Sequence, residues 1–463
     1  MDKVGSASNP LRVAIVGSGP AGFYAAEELL KTEEPQVAVD MFDRLPTPYG
    51  LVRGGVAPDH QKIKSVIKLY ARTAARPGFR FFGNVQFGKE ISLEEMLGAY
   101  HQLLFTTGAE HDRRMGIPGE DLAGSFPATV FVGWYNGHPD YRHYTFDLSG
   151  EKVAVIGNGN VAMDVIRILA KTISELEKTD IADYALETLK TSNIREIYML
   201  GRRGPAQAAF TNPEIRELTS IEGCDLVVNP ADLELDEVNQ EFLAGVKEPT
   251  FKRNVDILTA QIPKGLGSQP KKIHARFFTS PVEVLGTDRV EGLRLETNRL
   301  VKDEKGAFRA QGTGETEELA IQLLFRSIGY KGHPLAGLPF DEWSGLVPNA
   351  EGRVLDPESG RPIPRLYVAG WIKRGPNGVI GTNKPDAIGT VKLMREDLGA
   401  LDAMEGFQPD GEAILRILAA KNLRYVTFPD WQRIDAIEVE KGKPAGRPRV
   451  KFAAVEDMLA ALE

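Results

Sequence analysis

The chain has 463 residues, of which 42% are hydrophobic, so it can bury large cores and is long enough for two or three domains. Its formal net charge of −8 argues against nucleic-acid binding, and no apolar run reaches the roughly 18 residues that a membrane-spanning helix needs. The single cysteine, Cys224, excludes an internal disulfide and an iron-sulfur cluster held by this chain alone, and we predict no metal site.

The first predicted element is a strand that runs into a glycine-rich turn and a helix. It reads LRVAIVGSGPAG over Leu11–Gly22, and apolar residues continue at helical spacing to Leu30. Gly17 permits the tight turn, Gly19 lets the backbone approach a pyrophosphate, and Gly22 allows the helix to pack closely on the strand. The segment predicts a dinucleotide site with phosphates at the amino terminus of the helix.

The next strand, Val37–Asp43, ends in a carboxylate. Asp43 is placed to accept hydrogen bonds from ribose hydroxyls, as the acid after the second strand does in such sites. Asp40 is close enough in sequence to compete for this role, and Asp43 could also be a solvated acid at the end of a strand.

The same strand-turn-helix signature returns at Lys152–Ala162, which reads KVAVIGNGNVA. Ala162 stands where the third glycine would be, a change the pattern permits because only close helix packing is at stake. Two such starts predict two doubly wound α/β domains, each binding its own nucleotide.

The strand that follows the second motif ends in two arginines. Glu196–Pro205 reads EIYMLGRRGP and places Arg202 and Arg203 where an NAD site would carry an acid. Guanidinium groups at this position bind the 2′-phosphate of NADP through charge-assisted hydrogen bonds. The alternative is an exposed basic turn, because the insert Lys171–Ser192 makes the spacing longer than usual.

Three later segments are strand-like and end in glycine: Leu103–Gly108, Leu323–Gly329 and Leu366–Gly370. Such ends let a loop approach a ligand at the carboxyl edge of a parallel sheet. The polar stretch Lys302–Glu318 predicts a hairpin or loop, and the pattern after Asp386 is helical.

An acid-ended site beside an arginine-ended site predicts a bound flavin dinucleotide, FAD, next to an exchangeable NADPH, and hence hydride transfer between them. Enzymes of related layout that reduce disulfides relay electrons through a close cysteine pair, which this chain lacks. The electrons would therefore pass directly from the flavin to a docked partner or a diffusible acceptor.

Several longer segments resemble the adrenodoxin reductase-like branch of ferredoxin-NADP reductases: LPTPYGLVRGGVAPDH at 45–60, FVGWYN at 131–136, the second glycine motif, GRRGP at 201–205 and GWIKRGPNGVIGTN at 370–383. The resemblance implies two Rossmann-like three-layer α/β domains, with an NADP-binding domain, 109–329, inserted in an FAD-binding domain formed by 1–108 and 330–463. It implies an NADPH-dependent reductase that passes a hydride to FAD and then single electrons to a ferredoxin-type iron-sulfur protein.

The resemblance also implies the roles of individual residues. The FAD contacts would be Ala21, Asp43, Leu51, Phe87, Trp371, Gly378, Val379 and Ile380. The NADPH contacts would be Arg113, Asn158, Gly159, Asn160, Val161, Arg202, Arg203, Glu214 and Gly378. His60 and Glu217 would lie near the flavin, where a proton relay is the expected task. His60 could instead be a structural residue at the start of a helix that continues through Tyr70.

The chain begins almost directly at the first strand, so we expect the ferredoxin to be a separate protein that docks on a basic face, with Arg216 as one candidate contact. The opening MDKVGSASNP lacks the apolar core of a secretory signal, which favours a cytoplasmic protein, and we expect a monomer. Two alternatives stay open. One is an electron-input subunit like the small subunit of glutamate synthase, although those carry clustered cysteines near the amino terminus; the other is a nucleotide-sensing module without catalysis.

Overall fold

The computed structural model describes residues 3–402, 407 and 409–463. In chain order its strands are β1 Leu11–Val16, β2 Val37–Phe42, β3 Phe79–Phe82, β4 Gln102–Phe105, β5 His111–Asp112, β6 Ser125–Pro127, β7 Lys152–Ile156, β8 Glu196–Leu200, β9 Cys224–Val228, β10 Lys271–Arg276, β11 Thr279–Leu285, β12 Gly292–Lys302, β13 Phe308–Ala320, β14 Leu323–Arg326, β15 Tyr330–Lys331, β16 Asn349–Ala350, β17 Arg353–Leu355 and β18 Pro362–Val368.

The α-helices, in the same order, are α1 Pro20–Leu29, α2 Leu51–Gly54, α3 Gln61–Lys64, α4 Ile67–Ala74, α5 Leu93–Ala99, α6 Ala128–Tyr135, α7 Asn160–Ala170, α8 Ile173–Leu176, α9 Asp183–Lys190, α10 Asn212–Leu218, α11 Glu237–Gly245, α12 Pro249–Thr259, α13 Trp371–Arg374, α14 Asn383–Glu396, α15 Leu398–Asp402, α16 Ala413–Ala420, α17 Phe428–Gly442 and α18 Val455–Ala460. Within the described ranges, none of these helices has the length and apolar character to cross a membrane.

The first sheet is built from two distant parts of the chain. Its order is β16-β17-β18-β4-β1-β2-β3, and the pairs from β18 to β3 are parallel. One face packs against α1, α4, α14 and α17 through a core that includes Phe23, Val391 and Trp431. The other face packs against α5 and α16 through residues such as Met96 and Leu418. The sheet is thus the middle of three layers, as the α/β prediction requires.

The second sheet lies, in sequence, between the two parts of the first. It is parallel and has the order β6-β14-β7-β8-β10-β9. Helices, including α6, α7 and α10, cover one face through a core around Phe131 and Ile166. The other face is covered by the antiparallel sheet β11-β12-β13, whose Leu293 and Leu295 pack on Ala154 and Leu200. The inserted arrangement predicted from the sequence is confirmed, whereas on this face strands take the place of the helices of a doubly wound fold.

The two sheets are connected where the chain leaves the first and returns to it. There β5 and β15 pair as a two-stranded antiparallel ribbon, with Asp112 opposite Tyr330. Residues 447–451, which we call the C-terminal clasp, make a second connection. Arg447 donates to the carbonyl of Thr179 at 3.0 Å, on the side of the second sheet.

A buried ionic cluster continues this second connection. The ammonium group of Lys451 donates to the carbonyls of Asn136 at 3.1 Å and Arg53 at 3.2 Å, so it contacts both parts of the molecule. It also lies 3.4 Å from the carboxylate of Asp180, which accepts hydrogen bonds from Lys64 at 2.7 and 2.9 Å. All three charged side chains of this cluster are almost completely buried.

The helix predicted to run from His60 through Tyr70 is interrupted. It consists of α3 and α4, with a break at Ser65 and Val66. Lys64, at the end of α3, is buried because it reaches across to Asp180. The apolar spacing alone did not indicate this inward-facing charge.

Candidate functional site

The first glycine turn has the conformation that its sequence predicts. Gly17 has φ +106°, and a Cβ there would lie 2.7 Å from the carbonyl oxygen of Thr106. A Cβ on Gly22 would lie 2.3 Å from the carbonyl oxygen of Gly17, so helix α1 packs directly on the turn. At Gly19 nothing lies within 4 Å of a Cβ position. The open space in front of Gly19, at the start of α1, suits a pyrophosphate.

The structure separates the two acids of the second strand. The carboxylate of Asp43 accepts hydrogen bonds from the backbone N–H of Ser18 at 3.1 Å and from its hydroxyl, so it lies beside the glycine turn. Burial raises the pKa of Asp43 despite these bonds. Asp40 instead accepts from Arg80 at 2.6 and 2.7 Å and from Tyr100 at 2.7 Å. Of the two, only Asp43 lies beside the glycine turn, and its contact with a ribose stays a prediction.

The segment 45–60 folds back over this turn. The N–H of Tyr49 donates to the carbonyl of Ser18 at 3.0 Å, and a Cβ on Gly50 would lie 3.0 Å from Cα of Gly19. Leu51 follows at the start of α2 with 45% of its surface exposed. A large aliphatic side chain exposed beside a phosphate turn fits a surface that a ligand would cover.

The opposite wall comes from the loop after β18. Gly370 has φ +78°, and a Cβ there would lie 2.7 Å from Cβ of Ala21 on α1, so the two elements touch. The next residue, Trp371, stacks on Tyr330 with ring centroids 6.3 Å apart. Its buried Nε1–H finds no acceptor among the residues that the structure describes.

These observations test whether the cleft fits a flavin dinucleotide. The indole N–H of Trp371 is a buried donor in need of an acceptor, and an isoalloxazine ring offers several. Val379, in the turn before α14, is 54% exposed, and Gly378 before it has φ +81°. Phe87 is buried edge-to-face against Phe105 at the end of β4. The open glycine turn, the unpaired indole N–H and the exposed aliphatic side chains fit a flavin dinucleotide.

The second glycine turn repeats the geometry of the first. Gly157 has φ +118°, and a Cβ there would lie 2.1 Å from the carbonyl oxygen of Ser327. Gly159 faces open space and caps α7, whose first residue, Asn160, accepts a hydrogen bond from the N–H of Thr211 at 2.9 Å. Asn158 and Val161 flank this open position, and their predicted contacts with NADPH stay predictions.

The arginine pair follows β8 in a turn whose backbone carbonyls accept hydrogen bonds from residues in and next to the antiparallel sheet. The side-chain amide of Asn298, on β12, donates to the carbonyl of Arg202 at 2.9 Å. The N–H of Phe278 donates to the carbonyl of Arg203 at 3.2 Å, and the N–H of Thr279 to the carbonyl of Gly201 at 3.0 Å. The sheet that replaces the expected helices therefore fixes the backbone of this turn.

The two guanidinium groups have no acidic partner in the described part of the chain: no carboxylate lies within ion-pair distance of Arg202 or Arg203. Arg202 is exposed and Arg203 is half-buried. Burial and the neighbouring charge of Arg202 lower the pKa of Arg203. Adjacent arginines without a carboxylate form a site for an anion with several oxygens, as a 2′-phosphate is.

His60 and Glu217 come together across the boundary between the two sheets. Nε2 of His60 lies 2.9 Å from a carboxylate oxygen of Glu217, which is on α10. Burial disfavours the charged imidazole, yet the hydrogen bond to Glu217 raises the pKa of His60, and the same bond lowers the pKa of Glu217. The structure thus brings together the two residues that the family resemblance implicated in catalysis.

Glu214 and Arg113 occupy different surroundings. Glu214 is buried on α10, where its carboxylate accepts from Arg167 at 3.0 Å, and burial raises its pKa to about 7. Arg113 is exposed beside the two-stranded ribbon, where its N–H donates to the carbonyl of Gly329 at 3.0 Å. Their predicted contacts with NADPH stay predictions.

Sequence reasoning missed Arg167, Asn298 and Tyr330. A signal existed for Arg167, since it follows Asp164 by three residues on α7 and so shares a helix face with it, in a segment otherwise apolar. Nothing local marks Asn298 or Tyr330, because their roles come from contacts with residues far away in sequence.

Comparison with known proteins places this geometry among characterised folds. Residues 11–203 match the family model described as pyridine nucleotide-disulphide oxidoreductase. The chain is 48% identical over 460 residues to "NADPH-ferredoxin reductase FprA" of Mycobacterium tuberculosis, covering 97% of this chain and 98% of the relative. It is 41% identical to "NADPH:adrenodoxin oxidoreductase, mitochondrial" of Arabidopsis thaliana, covering 98% and 96%. A solved structure of the Mycobacterium tuberculosis protein in complex with NADPH superposes with a TM-score of 0.92 at 46% identity, covering 98% of this chain and 99% of that one.

Proposed function

Because the chain belongs to the NADPH-ferredoxin reductases, the family of its FprA and adrenodoxin oxidoreductase relatives, we propose that it carries electrons from NADPH to a separate ferredoxin-type iron-sulfur protein. The observation that carries this proposal is the pair of glycine turns with opposite chemistry beside them, a carboxylate at Asp43 and unpaired guanidinium groups at Arg202 and Arg203. When bound, FAD can accept a hydride from NADPH and can then give up the two electrons one at a time. Each NADPH oxidised thus reduces two one-electron acceptors and releases one proton.

The first cleft would hold FAD. We assign its contacts to the glycine turn, to the acid after β2, to the folded-back segment and to the far wall: Gly17, Gly19, Ala21, Gly22, Asp43, Leu51, Phe87, Trp371, Gly378, Val379 and Ile380. The second turn would hold NADPH through Asn158, Gly159, Asn160, Val161, Arg202 and Arg203, with Arg113, Glu214 and Gly378 toward its other end. Orientation is the main contribution of these residues, because a hydride moves only between closely aligned atoms.

We assign His60 and Glu217 to proton transfer. Hydride transfer needs no general acid, but a flavin gains and loses a proton as its electrons arrive and leave. Nε2 of His60 lies 2.9 Å from a carboxylate oxygen of Glu217, and Glu217 is partly exposed, so the pair forms a short route for a proton between the cleft and solvent. His60 belongs to the FAD half and Glu217 to the NADP half, so the two residues can exchange a proton only while the two halves keep their present alignment.

We further propose that the protein is a cytoplasmic monomer and that its FAD-binding domain comprises 1–108 and 330–463, with the NADP-binding domain 109–329 between them. The antiparallel ribbon of β5 and β15 lies at these limits and supports this division. Arg216, exposed on α10 one residue before Glu217, is a candidate contact for the acidic face of a ferredoxin.

The test uses the purified, yellow holoprotein under anaerobic conditions. Stoichiometric NADPH should bleach the flavin absorbance much faster than NADH does. Adding a low-potential ferredoxin should then support reduction of cytochrome c, and omitting the ferredoxin should slow it. A flavin that NADPH leaves oxidised, or equal rates with the two nicotinamides, would refute the proposal.

A further inference from the structure

A single buried arginine, Arg167, holds together the charged groups around His60. Its side chain is only 1% exposed. Nε donates to Asp59 at 2.7 Å, Nη1 to Glu214 at 3.0 Å and Nη2 to Asp164 at 2.6 Å. Asp59 precedes His60 in the chain and belongs to the first sheet's half of the molecule, whereas the other partners lie on α7 and α10. The guanidinium therefore joins the two halves at the point where the proposed proton route crosses between them.

The same guanidinium touches the imidazole of His60. Nη2 lies 3.4 Å from Nδ1, on the side of the ring opposite the Nε2 contact with Glu217. A guanidinium can donate but cannot accept a hydrogen bond, so this contact favours a ring whose Nδ1 carries no proton. The neutral ring then has its proton on Nε2, where it points at the carboxylate of Glu217.

Without Arg167, the carboxylates that face His60 would favour the doubly protonated, charged imidazole. The carboxylates of Asp59, Asp164 and Glu217 all attract a proton to the ring, and Nδ1 lies 3.8 Å from Asp164. The positive charge of Arg167 opposes them.

Two further groups complete these surroundings. Glu214 pairs with Arg167, and Lys171 lies 3.2 Å from Asp59. Arg167 also donates from Nη2 to Asp59 at 3.2 Å, and its Nη1 lies 3.5 Å from the Glu217 oxygen that contacts His60. One oxygen or nitrogen each of His60, Asp164 and Glu214 lies within 4.8 Å of the others, as in a cation site, and Arg167 supplies the positive charge there.

We infer that Arg167 is the positioning residue of the proton route: it occupies the Nδ1 side of His60 and so directs the single proton of the neutral ring to Glu217. The inference rests on the proposed function, in which His60 and Glu217 transfer protons. Without Arg167, the ring would take up a second proton on Nδ1, facing Asp164, at pH values where it is otherwise neutral. A doubly protonated ring has no acceptor nitrogen, so His60 would then have to release a proton before it could take up the next one.

The experiment reads His60 directly, by NMR of the holoprotein with ¹⁵N-labelled histidine. The chain has 7 histidines, and the spectrum of a His60→Gln variant identifies the signals of His60. In the unsubstituted protein at alkaline pH, Nε2 should carry the proton and Nδ1 should not. In Arg167→Met the titration midpoint of His60 should rise by about one pH unit or more, because a cation is lost from among the carboxylates. Arg167→Lys should raise the midpoint less, because lysine keeps the positive charge but lacks the planar set of N–H donors of the guanidinium group.

The matched control is Arg326→Met. Arg326 is also a buried arginine of the second sheet's half, and it donates to Glu120 at 2.6 Å, away from His60. We expect this variant to lose stability and to keep the midpoint and proton position of His60. A purely structural role for Arg167 would make the two methionine variants alike.

Two results would overturn the inference: a proton on Nδ1 of neutral His60 in the unsubstituted protein, or a midpoint unchanged within about 0.3 pH unit in Arg167→Met. If Arg167→Met does not fold, Arg167→Gln, which also removes the charge, decides by the same criterion. Flavin bleaching by NADPH in the unsubstituted protein separates the two proposals. Normal bleaching with an unchanged midpoint sinks only the role of Arg167, whereas absent bleaching sinks the proposed function and leaves the NMR result standing.

Discussion

Replacing Arg202 and Arg203 together by alanine should remove the preference for NADPH over NADH. The two nicotinamide nucleotides differ only in the 2′-phosphate, and the two guanidinium groups stand unpaired at the turn where that phosphate would lie. The backbone of the turn is held by Asn298, Phe278 and Thr279 through main-chain carbonyls, so truncating the arginine side chains leaves these hydrogen bonds intact.

The magnitude follows from the exposure of each arginine. A hydrogen bond to a charged group contributes about 1.5–3 kcal/mol, and an exposed ion pair less than about 1 kcal/mol. Half-buried Arg203 should supply most of the effect and exposed Arg202 the smaller part. Their sum of about 2–4 kcal/mol corresponds to a Kd for NADP⁺ raised about 30- to 800-fold. The Kd for NAD⁺ should change less than about threefold, because no charge contact is lost.

The assay is a titration of the oxidised holoprotein with NADP⁺ and, separately, with NAD⁺. Binding is detected by the change that the nucleotide causes in the flavin absorbance spectrum. Arg253→Ala is the matched control, since Arg253 is an exposed arginine on α12. It should leave both affinities unchanged. Equal losses for the two nucleotides in the double variant would show that the pair supports the turn and does not bind phosphate, which would refute the assignment of NADPH.

Three further outcomes test other parts of the structure. Asn298→Ala should weaken NADP⁺ binding by about 1–2 kcal/mol in the same titration, because the carbonyl of Arg202 loses its donor; an unchanged Kd would contradict this. Asp180→Asn should lower the free energy of unfolding in urea by about 3–5 kcal/mol, because Lys64 and Lys451 would be buried without a carboxylate; a loss below about 1 kcal/mol would be inconsistent with it. Burial raises the pKa of Glu214 to about 7 from an ordinary 4.5, so the folded protein holds a proton that the unfolded chain has released, and stability from this group falls as pH rises between those values. Glu214→Gln should therefore gain about 2–3 kcal/mol relative to the unsubstituted protein between about pH 5 and 8 in urea unfolding, and parallel pH profiles would refute this.

The parts of the fold set by local sequence were predictable. Gly17 and Gly157 adopt positive φ at the turns that their motifs indicate. The helices α1 and α7 each begin directly after the second glycine of the motif. The acid directly follows β2 and the arginines follow β8, so each lies at the carboxyl edge of its own parallel sheet, as the sequence predicted. The family resemblance then indicated that His60 and Glu217 belong together, although 157 positions separate them.

The parts that depend on distant contacts were not predictable. Arg167 reads as a helical residue until Asp59 and Glu214 are seen around it. The polar stretch Lys302–Glu318 predicted a hairpin or loop, and it forms the turn between β12 and β13 and most of β13, but nothing in it indicated that these strands cover the second sheet. The charged residues after α17 gave no indication of a role, because the partners of Lys451 lie more than three hundred positions earlier, at Asn136 and Arg53.

The C-terminal clasp has a consequence for the order of assembly during translation. Both sheets are complete in sequence by Val368, while Arg447 and Lys451, which make the second connection between the two halves, leave the ribosome later. Until then Asp180 has only Lys64 to neutralise it. The two halves can therefore meet first through Lys64, His60 and Arg167, and the contacts of the clasp are added last, by a segment that belongs to neither sheet.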